Sequence, residues 1–237
     1  MLDIIVPVYN EDKGILKLFD EIQNEIKAFK RVLIVYDFEE DTTLPIILAE
    51  KANYSFEIIL VKNNIGRGAL NAIKVGMRTA VNEMVLVMMA DSSDKLDVVD
   101  SMCSKMEEGY DLVCGSRYMK DGRQTGGPFL KGLFSRTAGI SLHILTAIPT
   151  HDVTNSFKLY RKSMLDKILI ESNGGFEIGL EIAVKAYIMG YKITEVPSQW
   201  FDREEGESNF HMWKWLPHYL HWYFFCIRKT WFKKGLR

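Results

Sequence analysis

The sequence is poor in cysteine, in long uncharged stretches and in charge of one sign. Its three cysteines (Cys103, Cys114 and Cys226) are far apart and form no Cys-x-x-Cys pair, which argues against structural zinc and a disulfide framework and favours a reducing compartment. Thirty basic residues against thirty-one acidic ones give a net charge of -1, so a generally basic nucleic-acid-binding protein is not expected. The best candidates for a spanning helix, 137–151 and 215–227, have 15 and 13 residues without Asp, Glu, Lys or Arg, whereas a span needs about 20. We therefore expect no transmembrane helix, no secretory signal and a cytoplasmic location.

The composition of the whole chain, 47% hydrophobic and 26% charged, is typical of a packed globular protein. Its first 115 residues alternate strand-like and helix-like stretches. Short apolar runs predict strands, and helical spacing of apolar residues predicts helices between them. The strands are expected at 2–6, 31–36, 57–61, 84–89 and 110–114, and the helices at 18–29, 44–52, 67–81 and 96–106. Further along we predict helices at 131–147 and 176–187 and a strand at 192–197. Repeated β-α-β units imply an α/β fold, with a mainly parallel sheet and helices on both faces.

Carboxylates follow the fourth predicted strand, at the edge where ligands bind in such sheets. Asp91 and Asp94 could bind a hard divalent cation. Such a cation prefers one or two carboxylates, and substrate phosphate oxygens complete its ligands. Such a cation would offset charge on a departing diphosphate. The alternative is structural: Ser93 or Asp94 would cap the helix that begins near Leu96. Asp91 can bind metal while Asp94 caps, so both interpretations stay open.

Two other loops carry glycine. Asn64-x-Gly66-x-Gly68 precedes a helix and would let the backbone approach a nucleotide closely, although a purely structural turn fits the same residues. It is neither a Walker loop nor a GxGxxG motif, so ATP hydrolysis and dinucleotide binding lose their usual support.

In the polar loop 202–209, Arg203 offers a planar fork for phosphate and Gly206 a hinge. The alternative there is a solvated charged connection.

The C-terminal segment is unusual in composition. No acidic residue follows Glu207, while cations and large aromatic residues alternate to the end of the chain. Aromatic residues beside cations, without spanning length, are typical of a helix at the surface of an anionic membrane. A core helix followed by a basic tail remains the alternative. We therefore expect a catalytic domain at 1–210 and an amphipathic aromatic and basic helix at 211–237.

In this order along the chain, the loops resemble those of the family-2 glycosyltransferases of the GT-A fold, specifically the polyprenyl-phosphate (dolichol-phosphate mannosyltransferase-like) branch. The matching segments are 5–11, 64–68, 89–91, 115–118, 152–158, 175–177 and Asp202-Arg203-x-x-Gly206-x-Ser208. The resemblance covers residues 4 to about 210. It implies a Rossmann-like GT-A domain that inverts the anomeric centre while moving a sugar from a nucleotide diphosphate sugar to a polyprenyl phosphate. It also implies Mg²⁺ or Mn²⁺ as cofactor and a peripheral position on the cytoplasmic face of a membrane.

The resemblance also suggests a role for individual residues. Asp91 is expected to hold the metal, with Asp94 as a second ligand, and Asp91, Asp152 and Arg203 to serve the reaction, Asp152 as a base or an orienting group. The nucleotide sugar is expected to contact Pro7, Tyr9, Glu11, Asp37, Asn64, Gly66, Gly68, Ala90 and Asp91. The acceptor phosphate is expected at Arg117, Lys131, Ser135 and Ser208.

The sequence departs from the family pattern in three places. Met89 replaces the first acid of Asp-x-Asp, 36–39 replaces the usual Asp-Asp-Gly-Ser, and Asn209 replaces the lysine that usually follows Ser208. These changes leave room for another donor, another acceptor or reduced activity. Two alternatives therefore remain, the same fold with a soluble glycan or other non-lipid acceptor, and a non-catalytic protein that binds nucleotide sugars.

Overall fold

A computed structural model describes residues 1–202 and 212–234 of the chain. The strands are β1 Leu2–Pro7, β2 Lys30–Tyr36, β3 Glu57–Lys62, β4 Met84–Val87, β5 Leu112–Ser116, β6 Arg123–Thr125, β7 Lys158–Arg161, β8 Ile193–Pro197 and β9 Gln199–Phe201. The helices are α1 Ile15–Glu25, α2 Thr43–Glu50, α3 Ala69–Thr79, α4 Val99–Glu107, α5 Phe129–Thr146, α6 Lys162–Leu165, α7 Ile178–Met189 and α8 Met212–Lys234. Short 3-10 turns at Lys51–Asn53 and Leu96–Val98 follow α2 and precede α4.

Seven strands form one sheet in the order β3-β2-β1-β4-β7-β5-β8. β7 runs antiparallel to both of its neighbours, and the other pairs are parallel. The loop that precedes β7 therefore reaches the same edge of the sheet as the loops that follow β1, β2, β4 and β5. A small parallel sheet, β6-β9, lies beside this edge.

Helices cover both faces of the large sheet, as the β-α-β pattern predicted. Apolar residues of α1, α2 and α4 pack on one face, among them Leu18, Ile47 and Met102. Residues of α3, α6 and α7 pack on the other. Because the central strands are buried on both faces, β1 and β2 are almost continuously apolar rather than alternating.

α8 packs against α5 and α7 around a third apolar cluster that includes Leu142, Leu180, Trp222 and Cys226. The Trp231 Nε1–H group donates to the Leu145 carbonyl at 3.0 Å. The helix therefore shares a core with the preceding domain, which the core-helix alternative anticipated, and it also carries exposed aromatic residues. None of the described helices is long and apolar enough to cross a membrane.

Two predicted helices have wrong bounds: the one at 18–29 extends too far, and the one at 176–187 begins and ends two residues too early. Phe29 lies beyond α1 and is exposed, because the Asp100 carboxylate accepts the Lys27 and Ala28 backbone N–H groups at 3.1 Å and draws the chain into β2. Phe176 precedes α7, where the Glu177 carboxylate binds backbone N–H groups just before the helix begins. The short strands β6, β7 and β9 were not predicted at all.

Candidate active site

The loops after β1 and β2 are joined by side chains that bind backbone. Buried Asp41 accepts the Asn10 N–H at 3.2 Å, and the Thr43 hydroxyl accepts the Glu11 N–H at 2.9 Å. The Asn10 side chain in turn accepts the Thr42 N–H at 3.1 Å. These bonds hold Asn10 at a positive φ of 54°, a conformation that asparagine tolerates better than most residues. Pro7 is buried at the end of β1, whereas the Tyr9 ring is presented on the surface.

The exposed Tyr9 belongs to a small aromatic surface. Its ring meets Phe38 edge to face, with centroids 5.7 Å apart, and the Arg67 guanidinium lies 5.3 Å from the centroid of the Phe38 ring. Phe38 stands at the position of the glycine in the family's Asp-Asp-Gly-Ser pattern, and Tyr36 at that of its first carboxylate. Flat rings beside a guanidinium offer stacking and hydrogen-bond donors to a planar group such as a base.

Asp37 organises the glycine-containing loop. Its carboxylate accepts the Gly68 N–H and the Asn63 side-chain amide, both at 2.7 Å. Asn63 also donates to the Gly66 carbonyl at 2.5 Å. Gly66 and Gly68 have φ values of 130° and 108°, which side chains rarely adopt. These bonds fix the backbone of the loop in front of α3. It stays a prediction that a nucleotide sugar contacts Asp37, Asn64 or either glycine.

The loop after β4 places Asp91 and Asp94 next to β9. Asp91 accepts the Ser93 N–H at 3.2 Å, and the Ser93 carbonyl accepts the Phe201 N–H at 2.8 Å. Asp94 is only 6% exposed, and Asn155 donates to its carboxylate at 3.5 Å. The capping interpretation is wrong, because neither Ser93 nor Asp94 caps the turn at Leu96–Val98.

Asp94 is electrostatically coupled to its neighbours. Burial raises the pKa of its carboxyl to about 7; Asp91 and Asp152 act in the same direction, and Arg117 opposes them. The four charged groups are therefore close enough to influence one another, although they come from three different loops.

The residues of this loop fit a hard divalent cation that takes only part of its ligands from protein. Within residues 1–202 and 212–234, no cluster of three or more His, Cys, Asp and Glu side chains could hold a metal. Asp91 and Asp94 supply two carboxylates, and the buried Ser92 and Ser93 hydroxyls beside them have no hydrogen-bond partner within that same part of the chain. Mg²⁺ is commonly held by one or two carboxylates, with substrate phosphates and water as the other ligands.

Arg117 and Asp152 form a buried ion pair on the other side of β4. The guanidinium binds both carboxylate oxygens, Nε at 2.7 Å and an amino group at 3.0 Å, and the Arg117 backbone N–H adds a third bond at 3.1 Å. Burial alone would raise the pKa of Asp152, but the charge and hydrogen bonds of Arg117 outweigh it and the net pKa is lowered. An ionised carboxylate held in this way is a poor proton acceptor, which favours the orienting role over the base.

Hydroxyl groups surround the outer side of the Arg117 guanidinium. It donates to the Ser135 hydroxyl at 3.0 Å, Tyr118 donates to the same oxygen at 2.9 Å, and Ser135 and Thr154 are 2.5 Å apart. Ser135 lies on α5 one turn after Lys131, so the two share a face of the helix. The structure thus brings together three predicted acceptor residues, and an acceptor phosphate would compete with Asp152 for Arg117.

Some site residues had no predicted role. Asn155 links Asp94 to the Gly115 carbonyl, which it reaches at 3.1 Å, and Asp41 and Asn63 shape the loops after β1 and β3. The sequence signal for such residues is only that each is polar and lies in or beside a predicted loop. For Asn155 and Asp41 that signal does not identify the partner, which lies 31 or more residues away. Arg203, Ser208 and Asn209 lie outside the described residues, so their predicted roles remain predictions.

Comparison with known sequences identifies the class. The sequence profile described as Glycosyl transferase family 2 matches residues 3–169, so the chain belongs to this family. It is 27% identical over 212 residues to a dolichol-phosphate mannosyltransferase of Pyrococcus furiosus, covering 87% of this chain and 58% of that protein. It is 25% identical over 211 residues to a polyprenol monophosphomannose synthase of Mycolicibacterium smegmatis, covering 86% of this chain and 79% of the relative.

Solved structures share the fold. Glucosyl-3-phosphoglycerate synthase of Mycobacterium tuberculosis, crystallised with UDP, superposes with a TM-score of 0.70 at 11% identity, over 96% of this chain and 80% of that one. A complex of the same enzyme with Mn²⁺, UDP and glucosyl-3-phosphoglycerate gives 0.65 at 13% identity, over 97% and 78%. At such low identity the likeness supports the GT-A architecture alone.

Proposed function

We propose that the chain is an inverting glycosyltransferase that moves a sugar from a nucleotide diphosphate sugar to a polyprenyl phosphate. Membership of the family and the two named relatives support sugar transfer. The observation that carries the proposal is the placement of Asp91 and Asp94 at the carboxyl edge of the sheet, beside the Arg117–Asp152 ion pair. Since the chain spans 58% of the length of the Pyrococcus relative, donor and acceptor are both part of the proposal.

The donor is proposed to bind across the loops after β1, β2, β3 and β4. Tyr9 and Phe38 would contact the base, with Arg67 at its edge, and the backbone of 64–68 would lie against the sugar or phosphates. Pro7 and the 9–11 loop form the wall of this region. Most of its polar side chains are already bonded to backbone, so we expect recognition to rest on shape and stacking.

The diphosphate is proposed to leave beside Asp91. A Mg²⁺ or Mn²⁺ ion bound by Asp91 and Asp94 would supply charge to offset that of the diphosphate. Asp91 and Asp94 would hold and orient the ion, while β9 fixes the backbone of their loop. Arg203, which the family resemblance assigns to the diphosphate, is proposed to add positive charge there.

The acceptor phosphate is proposed to lie along Arg117, Lys131 and Ser135. A phosphate monoester has its second ionisation near pH ~6, so it is already an anion near neutral pH and needs orientation more than deprotonation. Asp152 would keep the Arg117 fork in position, and Ser135 and Thr154 would limit its movement.

Two helices favour a lipid over a soluble acceptor. The first turns of α5, which carry Lys131 and Ser135, expose Phe129, Leu130, Leu133 and Phe134. A shallow groove continues along α5 between Leu133, Ile140 and Ile144. α8 exposes Phe224, Trp231 and Phe232, and neither helix contains an acidic residue. We propose that both helices face an anionic membrane surface, with 1–210 as the catalytic domain and 211–237 as its interfacial helix.

The metal-site part of the proposal is tested at Asp91. Asp91→Asn removes a charge from the predicted ion site, and we expect turnover with nucleotide sugar and polyprenyl phosphate to fall about 100-fold or more. The matched control is Asp97→Asn, an exposed carboxylate in the same segment, which should leave turnover unchanged. Near-normal turnover of Asp91→Asn, with Mg²⁺ or Mn²⁺ present, would contradict the assignment.

The acceptor is tested by where the labelled sugar goes. With UDP-, GDP- and dTDP-sugars in turn, we expect label to enter the organic phase when polyprenyl phosphate is present. Label only on a soluble glycan would support the soluble-acceptor alternative, and donor binding without product would support the non-catalytic one. Vesicle sedimentation tests the membrane part of the proposal. Changing Phe129 and Phe134 to Ser should reduce binding to anionic vesicles, whereas Leu169→Ser, at an exposed apolar residue outside α5 and α8, should not.

A further inference from the structure

Lys158 is a fully buried cation for which the proposed reaction gives no role. It is the first residue of β7, in the middle of the sheet, and its exposed fraction is 0%. Burying an ammonium group is unfavourable unless bonds to it compensate. A Met side chain of similar length would avoid that cost, so the bonds that Lys158 makes need an explanation.

The ammonium group binds the loop that carries Asp152. Its Nζ atom donates to the Val153 carbonyl at 3.1 Å and to the Asn155 carbonyl. No carboxylate of the described residues lies within ion-pair distance of it. Lys158 thus holds a turn of the backbone rather than a single opposite charge.

The register of β7 explains how one side chain reaches so many parts of the site. Lys158 lies opposite Val87, the last residue of β4, and opposite Cys114 of β5, three residues before Arg117. The loop that carries Asp91 starts directly after Val87, and the loop that carries Arg117 starts after Ser116, two residues beyond Cys114. The lysine therefore lies beneath the point where both loops meet the 152–155 turn.

The residues of that turn are the ones that link the charged groups. Asp152 binds Arg117 through both carboxylate oxygens and also accepts the Asn155 N–H at 3.2 Å. Asn155 reaches Asp94 at 3.5 Å and the Gly115 carbonyl at 3.1 Å. A shift of the turn would move Asp152 and Asn155 together, and with them the partners of Arg117 and Asp94.

We infer that Lys158 is a positioning residue for sugar transfer: by holding the Val153 and Asn155 carbonyls, it keeps Asp152 and Asn155 in register with Arg117 and Asp94. This inference rests on the proposed function. Burial lowers the pKa of the Lys158 ammonium group and Arg117 acts in the same direction, whereas the Asp152 and Asp94 carboxylates oppose them.

The chain offers a matched control in Lys30. This lysine is also buried, at 8% exposure, and its Nζ atom also donates to a backbone carbonyl, that of Ile26 at 2.6 Å. Lys30 lies opposite Leu2 at the start of β1, so it is at the other end of the parallel strands. A purely structural role predicts that Lys158→Met and Lys30→Met behave alike.

The experiment compares steady-state kinetics of Lys158→Met, Lys158→Arg and Lys30→Met. We expect kcat of Lys158→Met to fall on the order of 100-fold, as a displacement of about 1 Å in a reacting site can cause. KM for the nucleotide sugar should stay within about twofold, because the donor loops lie on other strands. Lys158→Arg, which keeps the charge and the donors, should recover part of kcat. Lys30→Met should lower Tm and leave kcat of the folded enzyme unchanged.

A second readout does not depend on activity. The Arg117 and Asn155 amides both donate to Asp152, so hydrogen exchange at these two amides reports whether the carboxylate is in place. Exchange should accelerate in Lys158→Met and not in Lys30→Met. If Lys158→Met does not fold, Lys158→Gln takes its place; its side chain is shorter than that of lysine and should not hold both carbonyls, so exchange should still accelerate, by less than in Lys158→Met.

The outcomes separate the inference from the proposed function. Wild-type protein without transferase activity overturns the proposed function, while the exchange rates still decide whether Lys158 holds the turn. Unchanged exchange at Arg117 and Asn155, or an unchanged kcat in Lys158→Met, overturns the positioning role.

Discussion

The two halves of the sheet edge use carboxylates in different ways. On the side of β1, β2 and β3, Asp41 and Asp37 bind backbone N–H groups and give the loops their shape. On the side of β4, β7 and β5, Asp94 and Asp152 interact with Arg117 and with each other. The first half thus presents a preformed surface with exposed aromatic residues, and the second a cluster of charges. In the proposed function, the first half would recognise a planar group and the second would handle phosphate charge.

The largest effect is expected from breaking the ion pair in the charged half. Arg117→Met leaves Asp152 buried without its partner, which should lower the free energy of unfolding by about 3–5 kcal/mol and abolish turnover. The chain has a matched pair at the opposite edge of the sheet, where Arg31 binds both oxygens of buried Asp3 at 2.8 and 3.0 Å. Arg31→Met should cost similar stability and leave kcat of the folded protein unchanged. Denaturant unfolding and single-turnover kinetics measure the two quantities.

That comparison can fail in a definite way. Equal kinetic losses in the Arg117 and Arg31 variants would mean that activity follows global stability. The Arg117–Asp152 pair would then have no role in turnover beyond stabilising the fold.

A somewhat smaller effect is expected at Asp94, and it depends on pH. Its pKa is raised to about 7 in the folded protein, mainly by burial, from an ordinary value of 3.8. Between these two values the unfolded chain releases the proton and the folded chain keeps it, so this group lowers stability as pH rises from about 4 to 7. Asp94→Asn removes that loss and should stabilise the protein at pH 7 by up to about 4 kcal/mol relative to wild type, with little difference at pH 4.

Thermal unfolding at several pH values, with EDTA present, checks this expectation. Asp97→Asn, the exposed control, should show no such pH dependence. A difference between Asp94→Asn and wild type that stays constant from pH 4 to 7 would argue that Asp94 is ionised throughout.

The smallest effect is expected in the preformed half. Arg67→Ala removes the guanidinium that lies over Phe38 and should weaken nucleotide-sugar binding by about 1 kcal/mol, roughly fivefold in Kd, without changing kcat. Arg78→Ala, an exposed arginine at the other end of α3, is the control and should bind normally. Calorimetric titration with whichever of the UDP-, GDP- and dTDP-sugars supports transfer provides the measurement; a fall in kcat at constant Kd would place Arg67 in the charged half instead.

The sequence predicts most of the first half and less of the second, for physical reasons. β1, β2 and β3 are found within two residues of their ends, because apolar runs flanked by polar loops are unambiguous in a parallel sheet. β7 was missed because its four residues begin with Lys158 and end with Arg161, so the run carries no apolar signature. Its burial depends on partners from β4, β5 and the preceding turn.

The same limit applies to the site. Asp91, Asp152 and Arg117 were singled out by residue type and family resemblance, but the bonds between Arg117 and Asp152 join positions 35 residues apart. Helix capping at Asp94 was a reasonable local alternative, and it fails because Asn155, 61 residues away, contacts the carboxylate. Local sequence can suggest which side chains have a functional role, whereas their hydrogen-bond partners depend on how the sheet brings distant segments together.

The reversed direction of β7 has a consequence for how this region tolerates change. In a strand of this orientation, the stretch in front of it builds the functional edge, and the stretch behind it emerges on the opposite side, near α6. The chain behind the strand passes directly into α6, away from the functional edge. In front of it, removing a single residue between Asn155 and Lys158 would exchange the inward and outward faces of the strand. The length of the stretch before β7 is therefore fixed by the side chains that this strand must turn inward.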